Sequence, residues 1–228
     1  MRVIVTCGPS FEPIDEVRRI TNFSTGELGV MLADHLADSG FEVICLRGVA
    51  STYPIDPTEA TVIPFSTNDD LEAELDALST EGGFVGVFHA AALCDYRVRH
   101  VADRDGQIVG SGKISSREGP LTLTLEPSTK IISKMRTWFP DSRIVGWKYE
   151  LEGTVESVFA KVSRQIAENR LNGCVANGRA FGQGYGFCQK YRRVRHLPSK
   201  RLLCRFLAGW LLNETVKETG KARDYALA

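Results

Sequence analysis

Residues 7–29 read CGPSFEPIDEVRRITNFSTGELG and lie between a hydrophobic strand and an apolar-periodic helix. The preceding Arg2-Val3-Ile4-Val5-Thr6 is rich in β-branched residues, the composition of a strand covered on both faces. From there the chain wanders for roughly fifteen residues before Ser24-Thr25-Gly26 opens the helix, and a loop of that length inside a compact unit is either functional or disordered. Pro9, Phe11, Pro13, Ile14, Val17 and Ile20 give it stiffness and apolar area of its own. It reads as a structured binding loop.

The chemistry of this loop suits an anion. At Ser24, Thr25 and Gly26, hydroxyls, unpaired backbone N–H groups and the positive end of a helix dipole converge. Arg18 and Arg19 add guanidinium groups that can fork onto phosphate or carboxylate. A plainer alternative has Ser24 only capping the helix and the arginines solvated. The carboxamide of Asn22, set between the arginines and the cap, favours binding.

With 228 residues, 43% of them hydrophobic, and 28 acidic against 28 basic side chains, the chain can bury one large core or two small ones. No charge excess calls for nucleic acid. Cys7, Cys45, Cys94, Cys174, Cys188 and Cys204 are scattered singly, without a C-x-x-C pair or a histidine at ligand spacing, and read as reduced core thiols. The first apolar run is short and lacks a cleavage-type flank, and no run approaches a membrane span. Together these features imply a cytoplasmic location, with neither nucleic acid nor membrane as a partner.

Beyond the loop, strand and helix alternate. Leu28, Met31, Leu32 and Leu36 share a helix face with His35, a packed or rim histidine, and Gly40 stands at the C-cap. Residues 41–46 form a second strand, so the opening is a βαβ crossover. A loop over 48–59 leads to a third strand at 60–65, and Thr67 caps a helix with a Leu71, Leu75, Leu78 stripe. Residues 84–92, FVGVFHAAA, are nearly continuously apolar and close on small residues. A central strand has this form when a planar ring must approach its end. Asp95 follows, where open α/β sheets bind ligands; it can accept from a ribose hydroxyl, hold a metal through water, or serve as a cap or surface residue.

Charge and Gly106, Gly110, Gly112 and Gly119 break the pattern over 98–120, which reads as a flap. Its Lys113 is either solvated or carried onto a polyphosphate by loop closure. Leu121 to Leu125 alternates as a strand, and Pro127-Ser128-Thr129-Lys130 starts another helix with Ile131, Ile132 and Met135. Ile144 to Trp147 is a strand with Lys148-Tyr149-Glu150 at its carboxyl end. An amphipathic helix within 154–171 precedes a strand at 173–177. Residues 178–200 turn Gly-rich and basic; the segment 190–205 is dense in lysine and arginine but carries no nucleic-acid-binding motif, and Tyr191 is its only aromatic before Phe206, so it reads as a solvated face or a polyphosphate lip. A final helix covers 201–218.

The run GPSFEPIDEVRRITNFSTGELG, then AALCDY, a glycine-flanked lysine, VGWKYE and VAN, in that order, resembles phosphopantothenoylcysteine synthetase, the ligase half of the DNA/pantothenate-metabolism flavoproteins. That family opens G-G-T-x-E-x-I-D-x-V-R-x-I-x-N-x-S-S-G, matched here by Gly8-Pro9-Ser10-Phe11-Glu12-Pro13-Ile14-Asp15, Arg18, Asn22 and Ser24-Thr25-Gly26. The resemblance runs from Met1 to about Asn177.

It implies one Rossmann-like α/β domain over 1–228, with a mostly parallel sheet flanked by helices, a flap at about 98–120 and a basic C-terminal region at about 178–228. It also implies a homodimer. The implied reaction uses ATP or CTP with Mg2+ to activate the carboxylate of 4′-phosphopantothenate as an acyl-nucleotidylate, releasing pyrophosphate. Cysteine then forms the amide, a step of coenzyme A biosynthesis. By the same resemblance Asn22 holds the acyl-nucleotidylate and Lys113 closes on the reacting phosphate, while Arg18, Ser24, Thr25 and Gly26 grip substrate phosphate or carboxylate. Gly8, Ala91, Ala92, Asp95, Pro127, Ser128, Thr129, Lys130, Trp147 and Lys148 would form the nucleotide pocket. No metal ligands are assigned. Catalysis of this kind is mostly positioning and charge neutralisation.

The chain departs from the family pattern in several places. Lys113-Ile114-Ser115-Ser116 stands where two or three lysines surround the isoleucine, after a lengthened loop. Pro9 replaces a glycine and Thr25 a serine, and the helix before VAN is poorer in lysine, leaving Lys161, Arg164 and Arg170 as candidate phosphate contacts. Lys148-Tyr149-Glu150 is closer to the eukaryotic F-K-L-E form than to the bacterial F-A-A-E form, which leans toward ATP. The flavin-binding decarboxylase half that bacterial fusions place ahead of the ligase is missing, which implies a stand-alone form.

Two other classes compete. A nicotinamide-dependent oxidoreductase would need a glycine-rich turn directly after the first strand and an acidic residue ending the second, where Arg47 stands. A catalytically silent paralogue would bind nucleotide or phosphopantothenate without turnover.

Overall fold

The computed structural model describes residues 1–110, 112–190 and 192–225, with side chains for all of these except Glu118 and residues 218–225. Val3, Ile4 and Val5 are fully buried in β1 (Arg2–Cys7), as a strand flanked on both faces requires. The loop after it carries a small hairpin, β2 (Phe11–Pro13) and β3 (Arg19–Thr21), which supplies the order expected of residues 8–26. Helix α1 (Glu27–Asp38) follows. Its N-cap is Gly26, at φ 81°, so Ser24 does not cap it. Gly29 lets α1 lie directly on β1, since a Cβ there would stand 2.0 Å from that of Cys7.

The chain continues through β4 (Glu42–Gly48), β5 (Thr61–Phe65), α2 (Asn68–Glu81) and β6 (Phe84–His89). Thr67 forms the capping box of α2, accepting from Asp70 N–H. Strands β7 (Tyr96–Ala102) and β8 (Thr122–Pro127) form a separate antiparallel arm. After it come α3 (Met135–Trp138), β9 (Arg143–Tyr149), α4 (Val155–Glu168), β10 (Gly173–Asn177), β11 (Tyr185–Cys188), β12 (Arg195–Leu197) and α5 (Lys200–Tyr225).

The main sheet has the order β12-β11-β10-β9-β6-β1-β4-β5. From β10 to β5 all neighbours are parallel, and β11 and β12 add an antiparallel edge. This is the Rossmann-like α/β arrangement. One core cluster packs α1 and α5 on the sheet through Val5, Val30, Leu36, Leu203 and Leu207. The other packs α2, α3 and α4 on the opposite face through Ile4, Leu71, Met135 and Val162. After β1 the chain moves out through β4 and β5, then returns to the far side of β1 as β6. The loops after β1 and β6 therefore begin at a topological switch point, where open sheets bind ligands.

Two expectations need correcting. The flap starts later than residue 98, because 96–102 pair with β8, helped by Arg97 with Glu126 (2.7 Å) and His100 with Thr124 (3.0 Å). The helix expected from Pro127 reduces to a 3-10 turn at Ile131–Ser133 and the single turn of α3. Within the glycine-rich basic segment, to which the sequence assigns no element, β11 and β12 complete the sheet, with Phe187 and Leu197 buried. Ser111 of the flap and Tyr191 lie outside the described residues. All six cysteines are unpaired and buried, as expected. Among the described residues no helix is long and apolar enough to cross a membrane.

Candidate polyanion-binding site

The loops leaving β1 and β6 run side by side. Ala92 N–H donates to Gly8 O (2.9 Å), Ser10 N–H to Ala92 O (3.3 Å), and Cys94 N–H to the Ser10 hydroxyl (2.9 Å). The Asn22 amide closes over them, donating from Nδ2 to Ala92 O (3.2 Å) and Leu93 O (2.8 Å). Both amide hydrogens are thereby committed, and Oδ1 remains as an acceptor. From below, buried Asn68 donates to Cys94 O (2.8 Å) and to the Ser128 hydroxyl (2.9 Å). The segment from Ala91 to Asp95 is thus held from two sides.

Outside the carboxyl ends of β6 and β9 lies a groove of about 960 Å³, bounded by the turn at 129–133 and by α4. His89, Ala91, Leu93 and Gln165 line it, with Lys130, Lys148, Lys161 and Arg164 around it. Asp95 pairs with Lys130, and Glu150 with Lys161 and, at 3.4 Å, with Lys148. Burial pushes the Glu150 carboxyl up, but hydrogen bonds from Lys161 and Lys148 outweigh it and hold the group below the ordinary value. Four cationic side chains thus face three carboxylates, Asp95, Glu150 and Glu168. A polyphosphate entering the groove can take over lysines that these carboxylates now hold.

A second assembly anchors the flap. The Asp15 carboxylate, with its side chain fully buried, accepts from Val17 N–H (2.9 Å), Arg18 N–H (2.7 Å), Ile114 N–H (3.3 Å) and the Arg18 guanidinium (2.7 Å). Arg18 also donates to Ile114 O (3.1 Å). Burial raises the Asp15 pKa, yet the N–H donors of Val17, Ile114 and Arg18 and the Arg18 charge outweigh it, so the value lies below that of an ordinary aspartate. Ile114 is buried and its neighbour Lys113 exposed.

Of the residues expected in one cradle, Ala91, Asp95, Thr129, Lys130, Trp147 and Lys148 line the groove. Gly8, Ala92, Pro127 and Ser128 do not; they back it, Ser128 N–H donating to Asp95 O (2.9 Å) and Pro127 pairing with Tyr96. Arg18, Asn22, Ser24, Thr25, Gly26 and Lys113 stand outside it, Asn22 joined to its rim through Leu93. The Asn22–Leu93 bond puts Asn22 at the same rim as Asp95. The sequence reading gave no role to His89, Gln165 or the carboxylate of Asp15. Of these only Asp15 had a local signal, its i, i+3 spacing to Arg18.

Among the described residues no three His, Cys, Asp or Glu side chains cluster as a metal site. With Asp95 and Glu150 paired to lysines, the groove suits a magnesium ion that enters on phosphate oxygens, the usual way Mg2+ is carried.

Fold and site together define a Rossmann-like α/β protein with a cation-lined groove at the strand ends. The family model described as DNA/pantothenate metabolism flavoprotein C-terminal domain matches residues 1–201, and the chain belongs to that family. It is 34% identical over 189 residues to the coenzyme A biosynthesis bifunctional protein CoaBC of Thermococcus kodakarensis, covering 79% of this chain and 42% of that protein. The chain spans about half the length of the curated relatives it matches. In fold it is similar to the DNA/pantothenate metabolism flavoprotein of Streptococcus pneumoniae (TM-score 0.83, 22% identity, 94% of this chain and 99% of that one). It is also similar to a Cab2 mutant solved with phosphopantothenate-cysteine (TM-score 0.73, 15% identity, 97% and 88%).

Proposed function

We propose that the chain is a phosphopantothenate–cysteine ligase of coenzyme A biosynthesis, acting as one cytoplasmic domain and as a homodimer. The observation that carries this reading is the lysine-lined groove at the strand ends, with its Ala91–Asp95 rim fixed by Asn22. The groove takes the nucleoside triphosphate, ATP in preference to CTP, with Mg2+ on its phosphates, where the ion adds positive charge. Small Ala91 admits the nucleotide against the strand end, and Asp95, once Lys130 turns to phosphate, accepts from ribose hydroxyls. Thr129, Lys130, Trp147 and Lys148 complete this wall.

The substrate carboxylate must approach the α-phosphate, and two anions repel. Lys130, Lys148, Lys161 and Arg164 lower that repulsion. Asn22 Oδ1 accepts from the amide N–H or hydroxyl of the phosphopantothenoyl group, fixing its carboxylate for attack. Gly8, Ser24, Thr25 and Gly26, beside the N-terminus of α1, and Arg18 receive the phosphate at the other end of that substrate. Lys113, placed by the Asp15–Arg18–Ile114 anchor, closes on the reacting phosphate. Attack releases pyrophosphate, and the cysteine amine then displaces the nucleotide to form the amide. Support for the dimer comes from the β7–β8 arm, a two-stranded unit exposing Tyr96 and Leu125 beside exposed Ile108, because such an arm is marginal without further packing.

The test measures pyrophosphate from phosphopantothenate, cysteine, Mg2+ and either ATP or CTP. Release that requires phosphopantothenate and falls in Asn22→Ala and Lys113→Ala supports the ligase. Nucleotide binding with no release identifies a silent binding protein instead.

A further inference from the structure

His89 ends β6, is only 7% exposed, and lines the groove. Thr6, its paired residue on β1, places Oγ1 2.8 Å from the ring Nδ1. The same Oγ1 accepts the Ala91 N–H at 3.2 Å, which leaves the single hydroxyl proton of buried Thr6 for Nδ1. The reverse tautomer would leave that hydroxyl proton with no acceptor. A neutral ring that accepts at Nδ1 carries its own proton on Nε2. Burial keeps the ring neutral, pulling its pKa down to about 4.

Nε2 has no hydrogen-bond partner among the described residues. Nε2 is not sealed from solvent, and the groove that His89 lines is where its N–H can meet an acceptor. The cations around the groove select an anionic occupant, and Ala91 beside the ring leaves room for it to approach.

We propose that His89 is a nucleotide-binding residue whose Nε2–H, oriented by Thr6, donates to a phosphoryl oxygen of the triphosphate. This rests on the groove being the nucleotide site of the ligase reading. Unlike the lysines, His89 offers a directional, uncharged donor at the floor, suited to fixing one oxygen rather than attracting the whole polyanion.

The experiment is calorimetric titration of ATP, CTP and adenosine into the wild-type chain, His89→Ala and His89→Gln, with nitrogen-15 spectra of the imidazoles and melting curves for all three. The wild-type spectrum should show the Nε2–H tautomer, with an Nε2 resonance that moves on adding ATP or CTP but not adenosine. His89→Ala should weaken triphosphate binding about tenfold, the worth of one hydrogen bond to a charged group. His89→Gln, which returns an N–H near the Nε2 position, should recover most of that loss, and adenosine affinity should be unchanged throughout. Equal triphosphate affinity in His89→Ala, or an unmoved Nε2 resonance in the wild type, overturns the role of His89 and leaves the ligase intact. If the wild-type chain neither binds nucleotide nor releases pyrophosphate, the ligase reading fails and this role fails with it.

Discussion

The flap anchor and the groove use the same residue types to opposite ends. Asp15 is sealed from solvent and saturated by three backbone N–H groups and Arg18, whereas the side chain of Asp95 is 70% exposed and, among the described residues, pairs only with Lys130. A buried carboxylate so surrounded fixes geometry, because removing it strands every donor at once. An exposed pair contributes about 1 kcal/mol or less and is readily exchanged for another anion. The difference separates what this chain holds rigid, the footing of Lys113, from what it keeps exchangeable, the lysines of the groove.

Acid should separate the two regions with the largest effect. The pKa of His89 falls from 6.5 to about 4 on folding, so the unfolded chain binds a proton below 6.5 that the folded chain refuses. Its contribution is intact above that pH and should decline by about 3 kcal/mol as pH falls to 4. Asp15, with its lowered pKa, contributes fully above its ordinary value and loses that contribution only at lower pH. Urea titrations across pH 7 to 3 should therefore show overall stability falling in an upper step set by His89 before a lower one to which Asp15 contributes, and His89→Gln should remove the upper step alone.

Next in size is Asp15→Ala. By releasing Ile114 and Arg18 it should displace Lys113 and reduce pyrophosphate release about a hundredfold, the scale of a small misplacement of a reacting group. Limited proteolysis should cut within 103–121 faster than in the wild type.

Lys161→Ala should leave the melting curve almost unmoved and weaken ATP affinity about tenfold, since it removes a phosphate partner and leaves Glu150 less neutralised. Asp95→Asn should have the smallest effect on folding, about 1 kcal/mol or less by urea titration. A larger loss there would mean that the pair is structural, and the contrast with Asp15 would disappear.

The parallel sheet was legible because its strands are local runs of buried β-branched residues, as in Val3-Ile4-Val5. β11 and β12 were not, since Tyr185–Cys188 and Arg195–Leu197 are short, interrupted by glycine and arginine, and become strands only by pairing at an existing edge. At the site, Asp95 and Lys148 could be placed from their positions after strands. His89 could not, because its environment comes from Thr6, 83 residues away on the paired strand. Nor could the anchor be foreseen, since Asp15 and Ile114 meet across 99 residues.

Where the phosphates come to rest is the most direct test. A crystal structure of the chain with ATP or CTP and Mg2+ should show the triphosphate between the carboxyl ends of β6 and β9 and helix α4, touching Lys161 and the end of β6. A triphosphate seated instead at Gly26 and the N-terminus of α1, with the groove left to solvent, would contradict the account.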